Sequence, residues 1–281
     1  MNTISVKRSF SFAQAFQFTS QPVCLITALY VLPASVLKQG AIDFQCLALL
    51  YFASFFVYNA DRLWANSPED EFNHPERSEW IRQYKTPLSF LCIVSGIITF
   101  YISLFMTSTQ QILIALCGIP SILYILPKIT WRGKSFRWRE LPATKELSVA
   151  FAWSLAVSSL PLAQSPSHLM HRISAIYLIL VFIMALSNLL LCDLHDRHGD
   201  QHFKVQALAS TKPKLAQALC MCLAFAGLLI TVLISQNHSL FLGFLPSFIA
   251  LAYLAKQDSF NKLYTDLALL GPVLFSLLLL N

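Results

Sequence analysis

Long apolar runs alternate with short polar segments along almost the whole chain. A bilayer core requires about 20 apolar residues per helix, and nine runs approach that length. They fall at residues 22–37, 41–60, 87–107, 110–127, 145–163, 173–192, 214–235, 238–255 and 263–280. The pattern predicts an all-α polytopic membrane bundle of about nine transmembrane helices, in a single membrane domain covering residues 1–281.

The composition agrees with a membrane-embedded chain. Hydrophobic residues make up 56% of the 281 positions and charged residues only 12%, whereas a soluble globular domain has about 25% charged residues. The seven cysteines fall in or at the end of apolar runs, with no spacing typical of a metal knuckle or a disulfide framework. We interpret them as small buried hydrophobes.

The basic residues predict the orientation of the bundle. Of the 20 Lys and Arg, only Lys38 and Arg172 fall in one set of alternating loops, and the other 18 fall in the opposite set. The positive-inside rule therefore predicts a cytoplasmic N-terminus, an external C-terminus and cytoplasmic polar segments at about 61–86, 128–144 and 193–212. Because the positive charge is spread over several loops, we expect no nucleic-acid partner, and favour a multi-pass protein of the cytoplasmic (inner) membrane.

The segment NLLLCDLHDRHGDQHFK, called here the second acidic segment (residues 188–204), places three carboxylates together. Asp193, Asp196 and Asp200 would share an arc of about 60° on a helix. Carboxylates on one face repel each other, and a divalent cation would reverse the sign of that interaction; Mg²⁺ prefers such oxygen ligands. The alternative is a solvated polar cap at a helix end. The histidines nearby, His195, His198 and His202, we interpret as solvated side chains rather than zinc ligands.

The first acidic segment (residues 56–77) also follows an apolar run. It contains Asn59, Asp61, Asn66 and Asp70, but Pro68 should interrupt any helix joining them. The sequence Ser-Pro-Glu-Asp is typical of a new helix start, with proline at its first position. We therefore expect Asp61 and Asp70 to lie on separate helices.

A basic segment (residues 124–145), YILPKITWRGKSFRWRELPATK, lies between the two acidic segments along the chain. Its Lys and Arg residues fit a diphosphate, which basic side chains bind well. The same residues would be present if they served only to fix the topology. Both interpretations stay open at this point.

Both acidic segments resemble the aspartate-rich motifs of the UbiA superfamily of intramembrane prenyltransferases. The second family motif reads like N-D-x-x-D-x-x-G-D, which the chain matches from Asp193 to Asp200, with Cys192 in place of the Asn. Tyr124 and Lys128 are similar to the Tyr-x-x-x-Lys that follows the family's fourth helix. The family has nine helices and places its N-terminus and both motifs on the cytoplasmic side.

The first family motif reads like N-D-x-x-D-x-x-x-D followed by Asn-x-Pro-x-Arg, and here it is degenerate. The tail matches, and Asn66 takes the middle Asp position, but the leading Asp is displaced by two residues, to Asp61. The matching tail residues are Asp70, Asn73, Pro75 and Arg77. Either the alignment shifts around Pro68, with Asn59 and Asp61 as the Asn-Asp pair, or one metal site is weakened.

The resemblance implies a Mg²⁺-dependent transfer of a polyprenyl group from its diphosphate to a lipophilic, in many members aromatic, acceptor. It implies that Asp61, Asp70, Asp193, Asp196 and Asp200 are catalytic metal ligands. The implied diphosphate-binding residues are Lys128, Arg132, Asn59, Asn66 and Lys204, with Arg197 a weaker candidate. Polyprenyl diphosphate, the acceptor and membrane lipids are the expected partners.

Two other functions remain possible from the sequence. A transporter or channel would place charged residues deep in its spans, whereas the predicted spans are nearly empty of charge, with Asp43 and Asp266 near their ends. A catalytically impaired homologue that only binds an isoprenoid would explain the degenerate first motif.

Overall fold

The computed structural model describes residues 9–64, 68–125, 129–131, 134–136, 144–164, 167, 172–203, 205, 207–236, 238–257 and 259–280, with the backbone alone at 129–131, 134–136, 144 and 145. The described chain is almost entirely helical. Its helices are α1 Phe12–Phe18, α2 Gln21–Leu29, α3 Val31–Leu37, α4 Phe44–Trp64, α5 Pro68–Asn73, α6 Pro75–Gln83, α7 Lys85–Ser103, α8 Ser108–Ile125, α9 Thr144–Leu162, α10 Arg172–His202, α11 Leu208–Thr211, α12 Pro213–Ser235, α13 Phe244–Ala255, α14 Lys262–Leu267 and α15 Gly271–Leu280. Two 3₁₀ helices, Ser239–Gly243 and Ala268–Leu270, precede α13 and α15.

Each predicted apolar run coincides with a helix or with a pair of helices joined by a short break. Among the described residues, five helical segments are long and apolar enough to cross a membrane: Lys85–Ser103, Ser108–Ile125, Arg172–His202, Pro213–Ser235 and Lys262–Leu280. The pair Phe12–Phe18 and Gln21–Leu37, bent by 63°, would make a sixth. A helical membrane bundle is therefore confirmed, whereas nine crossings and the orientation of the termini stay predictions.

The outer surface of α7 shows why the chain belongs in a membrane. Phe90, Leu91 and Tyr101 are 67%, 51% and 61% exposed. Large apolar side chains that are exposed in such numbers would be unfavourable in water. They suit a helix face that contacts lipid, so the protein is an integral membrane protein.

The core lies where α10 packs between α9 and α12. Tyr177, Leu180 and Met184 project from α10 and are fully buried, and the rings of Phe244 and Phe248 pack beside them from α13. The 3₁₀ helix Ser239–Gly243 and α15 approach closely at Gly243 and Gly271, where an added Cβ would overlap neighbouring backbone or side-chain atoms. Dense packing around α10 fixes the helix that bears the second acidic segment.

Two features differ from the sequence prediction. The sixth apolar run was expected to end at residue 192 and to lead into a polar loop, but α10 continues to His202, so the second acidic segment is helical. The basic segment contains a small antiparallel hairpin, β1 Ile129–Trp131 paired with β2 Lys134–Phe136, which the apolar pattern did not indicate.

The break in the first acidic segment is confirmed. Helix α4 ends at Trp64 and α5 begins at Pro68, so Asp61 and Asp70 lie on different helices. Proline lacks the backbone N–H that a helix interior requires, but it is well suited to the first helical position. Helix α5 packs against α10.

Candidate functional site

A cavity of about 1240 Å³ opens between α4, α7, α8, α9, α10 and α14. One end is polar and is lined by the acidic segments together with Arg62, Arg77 and Lys262. The rest is mainly apolar, with Leu50, Phe56, Ile97, Phe100, Ile114, Trp153 and Leu160 among its lining residues. The cavity can hold an amphiphile with a charged head at the polar end and a hydrocarbon tail along the helices.

The three carboxylates of the second acidic segment lie at the polar end of this cavity. Asp193, Asp196 and Asp200 line it, and they are only 3%, 9% and 3% exposed. Burial of carboxylates is unfavourable unless cations or hydrogen-bond donors compensate the charge. The interpretation of this segment as a solvated polar cap is therefore wrong, because a solvated cap would leave these groups in water.

Asp196 is held by three side chains from three parts of the chain. Lys262 Nζ donates to Asp196 Oδ2 at 2.7 Å, and His74 Nε2 and His195 Nδ1 lie 3.0 Å from Asp196 Oδ1. The two imidazole rings are nearly parallel, with an interplanar angle of 7°. His195 is therefore not the solvated side chain that the sequence indicated, while His198 is exposed and His202 stacks on Phe72.

Asn73 joins the two acidic segments directly. Its Nδ2 donates to the Asp196 carbonyl oxygen at 2.8 Å, and its Oδ1 accepts from the Gly199 amide at 2.9 Å. A Cβ at position 199 would overlap the Asn73 side chain. Glycine in the second segment is thus required for the close approach of the asparagine from the first.

Asp70 provides a carboxylate from α5. Arg77 Nη2 donates to Asp70 Oδ1 at 3.3 Å. Burial alone would raise the pKa of Asp70, but the positive charges of Arg77, Lys262 and Arg62 outweigh burial and lower it. Burial lowers the pKa of His74, against the opposing effect of its bond to Asp196. Asp70 is accordingly ionised near neutral pH, and His74 is predominantly neutral.

Several residues predicted to bind the substrate fall elsewhere. Asp61 lines the cavity, but Asn59 does not: it is fully buried, and its Nδ2 donates to the carbonyl oxygens of Thr19 and Phe55. Arg197 lies on α10 outside the cavity lining. Asn66, Lys128, Arg132 and Lys204 lie outside the described residues, so their assignments stay predictions.

Two residues that contact Asp196 were not identified from the sequence. Lys262 was predicted to lie in a short loop whose basic residues were attributed to topology alone. His74 lies inside the Asn-x-Pro-x-Arg tail, at its variable position. Neither shows a recognisable spacing relative to Asp196. Only the packing of α14 and α5 against α10 brings them to it.

The two acids near the ends of predicted spans have different roles. Asp43 Oδ1 accepts from the backbone amide of Cys46 and so caps the start of α4. Asp266 lines the cavity, but it is only four residues from Lys262, about one helical turn, and therefore remains near the polar end. Neither forms the mid-membrane charge expected of a transporter.

Carboxylates of both acidic segments line the polar end of the same cavity, and these oxygen ligands suit a hard divalent cation such as Mg²⁺. His74, His195 and Asp196 form a second kind of group, since one ligand atom from each lies within 4.8 Å of the others. The polar end can therefore neutralise a diphosphate through bound cations as well as through Arg77 and Lys262.

Solved structures share this architecture. A UbiA homologue from Archaeoglobus fulgidus, described as bound to GPP and Mg²⁺, matches with a TM-score of 0.68 at 13% identity, over 93% of this chain and 96% of that one. A structure of a digeranylgeranylglyceryl phosphate synthase matches with a TM-score of 0.59 at 13% identity, over 94% of this chain and 99% of that one.

These matches establish the class of fold. The chain has the fold of the UbiA-type intramembrane enzymes, as the resemblance of its acidic segments indicated. No protein-family model matches the sequence, and no curated protein does. The likeness extends over nearly the full length and is one of fold, at 13% sequence identity.

Proposed function

We propose that the protein is a divergent member of the UbiA superfamily, an intramembrane prenyltransferase that moves a polyprenyl group from its diphosphate to a lipophilic acceptor. One observation carries the proposal. Two acidic segments more than a hundred residues apart are joined through Asn73 and Gly199 at the polar mouth of a long apolar cavity. A prenyl diphosphate has the matching form, a multiply charged anionic head on a hydrocarbon tail.

The acidic residues would hold the diphosphate through Mg²⁺. Asp61, Asp70, Asp193, Asp196 and Asp200 all line the polar end, and their oxygen atoms suit this ion. When bound, Mg²⁺ supplies positive charge that stabilises the departing diphosphate. The similar fold of the Archaeoglobus fulgidus homologue, described as bound to GPP and Mg²⁺, supports the assignment.

The chain's own cations would share this task. Arg77 and Lys262 line the same end, and Arg77 is already oriented by Asp70. Preorganised positive groups stabilise charge that develops on a leaving group without reorganisation. Lys128, Arg132 and Lys204 are further predicted diphosphate ligands.

The apolar part of the cavity would bind the tail and protect the allylic cation. Phe56, Phe100 and Trp153 present aromatic side chains to it, and aromatic faces attract cations. Exclusion of water prevents the cation from being captured by hydrolysis. In the proposed arrangement the acceptor is dissolved in the membrane. The polar end of the cavity lies on the cytoplasmic side of the inner membrane.

The test is diphosphate release by the purified protein in nanodiscs. Geranyl, farnesyl and geranylgeranyl diphosphate are each supplied with a panel of aromatic acceptors, with Mg²⁺ or with EDTA. Release that requires Mg²⁺ and a prenylated acceptor in the mass spectrum would establish the reaction class. Tight Mg²⁺-dependent binding of the diphosphate without release by any acceptor would instead favour an isoprenoid-binding homologue.

Absence of both release and binding would contradict the proposal. A prenyl diphosphate that does not bind would leave the buried carboxylates and the apolar cavity without the occupant that explains them. A transport function would then become the leading alternative.

A further inference from the structure

We propose that His74, His195 and Asp196 form a site for a borderline transition-metal ion, of the class of Zn²⁺ or Co²⁺, rather than for Mg²⁺. The inference deepens the proposed function and rests on it for the site's role, since it assigns Asp196 to a different ion from the other carboxylates. Mg²⁺ is then held by Asp61, Asp70, Asp193 and Asp200.

The three ligand atoms already converge. His74 Nε2 and His195 Nδ1 each lie 3.0 Å from the same oxygen, Asp196 Oδ1, and all three atoms lie within 4.8 Å of one another. A tetrahedral ion with bonds of about 2.0–2.1 Å requires its ligand atoms to lie about 3.3 Å apart. The two nitrogen–oxygen pairs at 3.0 Å are already near that separation, and binding an ion requires the two imidazole nitrogens to adjust from a distance of at most 4.8 Å.

The ligand types select the ion. Imidazole nitrogens suit Zn²⁺, Co²⁺ and related ions, whereas Mg²⁺ prefers oxygen ligands and keeps much of its water. Both imidazole nitrogens contact Asp196 Oδ1, so nitrogen ligands accompany this carboxylate. The cavity thus contains two chemically distinct cation environments.

The surroundings hold this geometry in place. Lys262 donates to Asp196 Oδ2 and so leaves Oδ1 directed at the two histidines. The hydrogen bond from Asn73 to the Asp196 carbonyl oxygen fixes the backbone there. The ring centroids of His195 and Phe260 lie 5.7 Å apart. Hydrogen bonds to a ligating carboxylate orient it and tune the metal site.

Three protein ligands leave one coordination position open. His74, His195 and Asp196 all line the cavity, so that position faces the space proposed for the diphosphate. An open fourth position is typical of zinc ions that bind or activate a substrate rather than of purely structural ones. A diphosphate oxygen is the ligand that the open position would take.

The test is a titration of the full-length protein in detergent with Co²⁺, without any prenyl diphosphate, followed by the visible absorption of the bound ion. We expect a spectrum typical of mixed nitrogen and oxygen ligands that Zn²⁺ displaces and excess Mg²⁺ does not. His74→Gln and His195→Gln each keep a hydrogen-bond donor near Asp196 but lose the imidazole. Each should weaken Co²⁺ binding by about 100-fold or more, because loss of even an outer-shell partner weakens metal binding 10–100-fold.

His198→Gln is the matched control, because His198 lies on the same helix but is exposed, and it should bind Co²⁺ like the unmodified protein. The X-ray absorption spectrum of the Zn²⁺-loaded wild-type protein gives a second readout that needs no variant, and it should show imidazole nitrogen in the first coordination shell. Equal Co²⁺ affinity in all three variants, or displacement of Co²⁺ by stoichiometric Mg²⁺, would overturn the inference.

The outcomes separate the two proposals. Histidine-dependent Co²⁺ binding without any diphosphate release would support the metal site and leave the prenyltransferase proposal unsupported. Mg²⁺-dependent release without histidine-dependent Co²⁺ binding would overturn the metal site and preserve the prenyltransferase proposal.

Discussion

The two acidic segments reach the same cavity by different routes. The second lies on one unbroken helix, α10, whose regular rise keeps Asp193, Asp196 and Asp200 on one buried face. The first is divided between α4 and α5, which puts Asp61 and Asp70 on separate helices. A spacing in sequence therefore translates directly into geometry in the second segment but not in the first.

The comparison also explains why the first motif tolerates degeneracy. Because Asp61 and Asp70 lie on different helices, their spacing in sequence does not have to follow one helical repeat. Both carboxylates still line the cavity. We expect the second segment to contribute most of the binding free energy, and the following predictions test that expectation.

The largest effect is expected for Asp196→Ala. The change removes a proposed metal ligand and leaves the ammonium group of Lys262 without its carboxylate partner. Prenyl diphosphate release should fall by about 100–1000-fold, the range found when a transition-state stabilising group is lost. The initial rate of diphosphate release in nanodiscs measures the effect.

Asp43→Asn provides the matched control. Asp43 is a buried acid that caps α4 and does not line the cavity, so its variant should retain the release rate. Similar losses in both variants would show that Asp196 acts through general stability.

The second largest effect concerns the contact between the segments. Gly199→Ala would force a Cβ into the Asn73 side chain, and overpacking of this kind destabilises by about 1–3 kcal/mol. Asn73→Ala loses two hydrogen bonds and should be destabilising by a similar amount. Thermal unfolding in detergent measures both.

The double variant Asn73→Ala, Gly199→Ala sharpens this prediction. Since the alanine at 199 then has room, the combined destabilisation should be clearly smaller than the sum of the single effects. Strict additivity would contradict the direct contact between the two positions.

A smaller effect is expected for Asp61→Asn. One carboxylate of the divided segment is neutralised, while Asp70 and the second segment remain. Diphosphate release should decrease by about 10-fold, close to 1.4 kcal/mol, and raised Mg²⁺ should recover part of it. A loss as large as that of Asp196→Ala would break the proposed ranking of the two segments.

The smallest effect is expected in the apolar part of the cavity. Gly118 lines it, and a Cβ there would meet no atom within 4 Å, so the side chain of Gly118→Phe can start there without overlap and occupy part of the cavity. The variant should lower the rate of diphosphate release from geranylgeranyl diphosphate several-fold more than that from geranyl diphosphate. Competition assays that contain the two substrates together measure this preference. Gly118→Ala, which adds one methyl group, should leave the preference unchanged.

The sequence predicted the helical bundle and the second acidic segment well, because both depend on local periodicity. Apolar runs specify helices in a membrane, and i, i+3 and i+7 spacing specifies a shared face. The sequence also predicted the helix start at Pro68, since proline acts locally. It did not predict that α10 continues to His202, because polar residues in a helix and in a loop look alike when only hydropathy is considered.

The sequence alone determined the class of environment, the segments that become helical and the positions of the carboxylates. It could not determine which distant side chains would meet them. Lys262 and His74 reach Asp196 from 66 and 122 residues away, and Asn59 turns from the cavity to the carbonyl oxygens of Thr19 and Phe55. Such contacts depend on how helices pack, which is decided by the whole core around α10 and leaves no periodic signal along the chain.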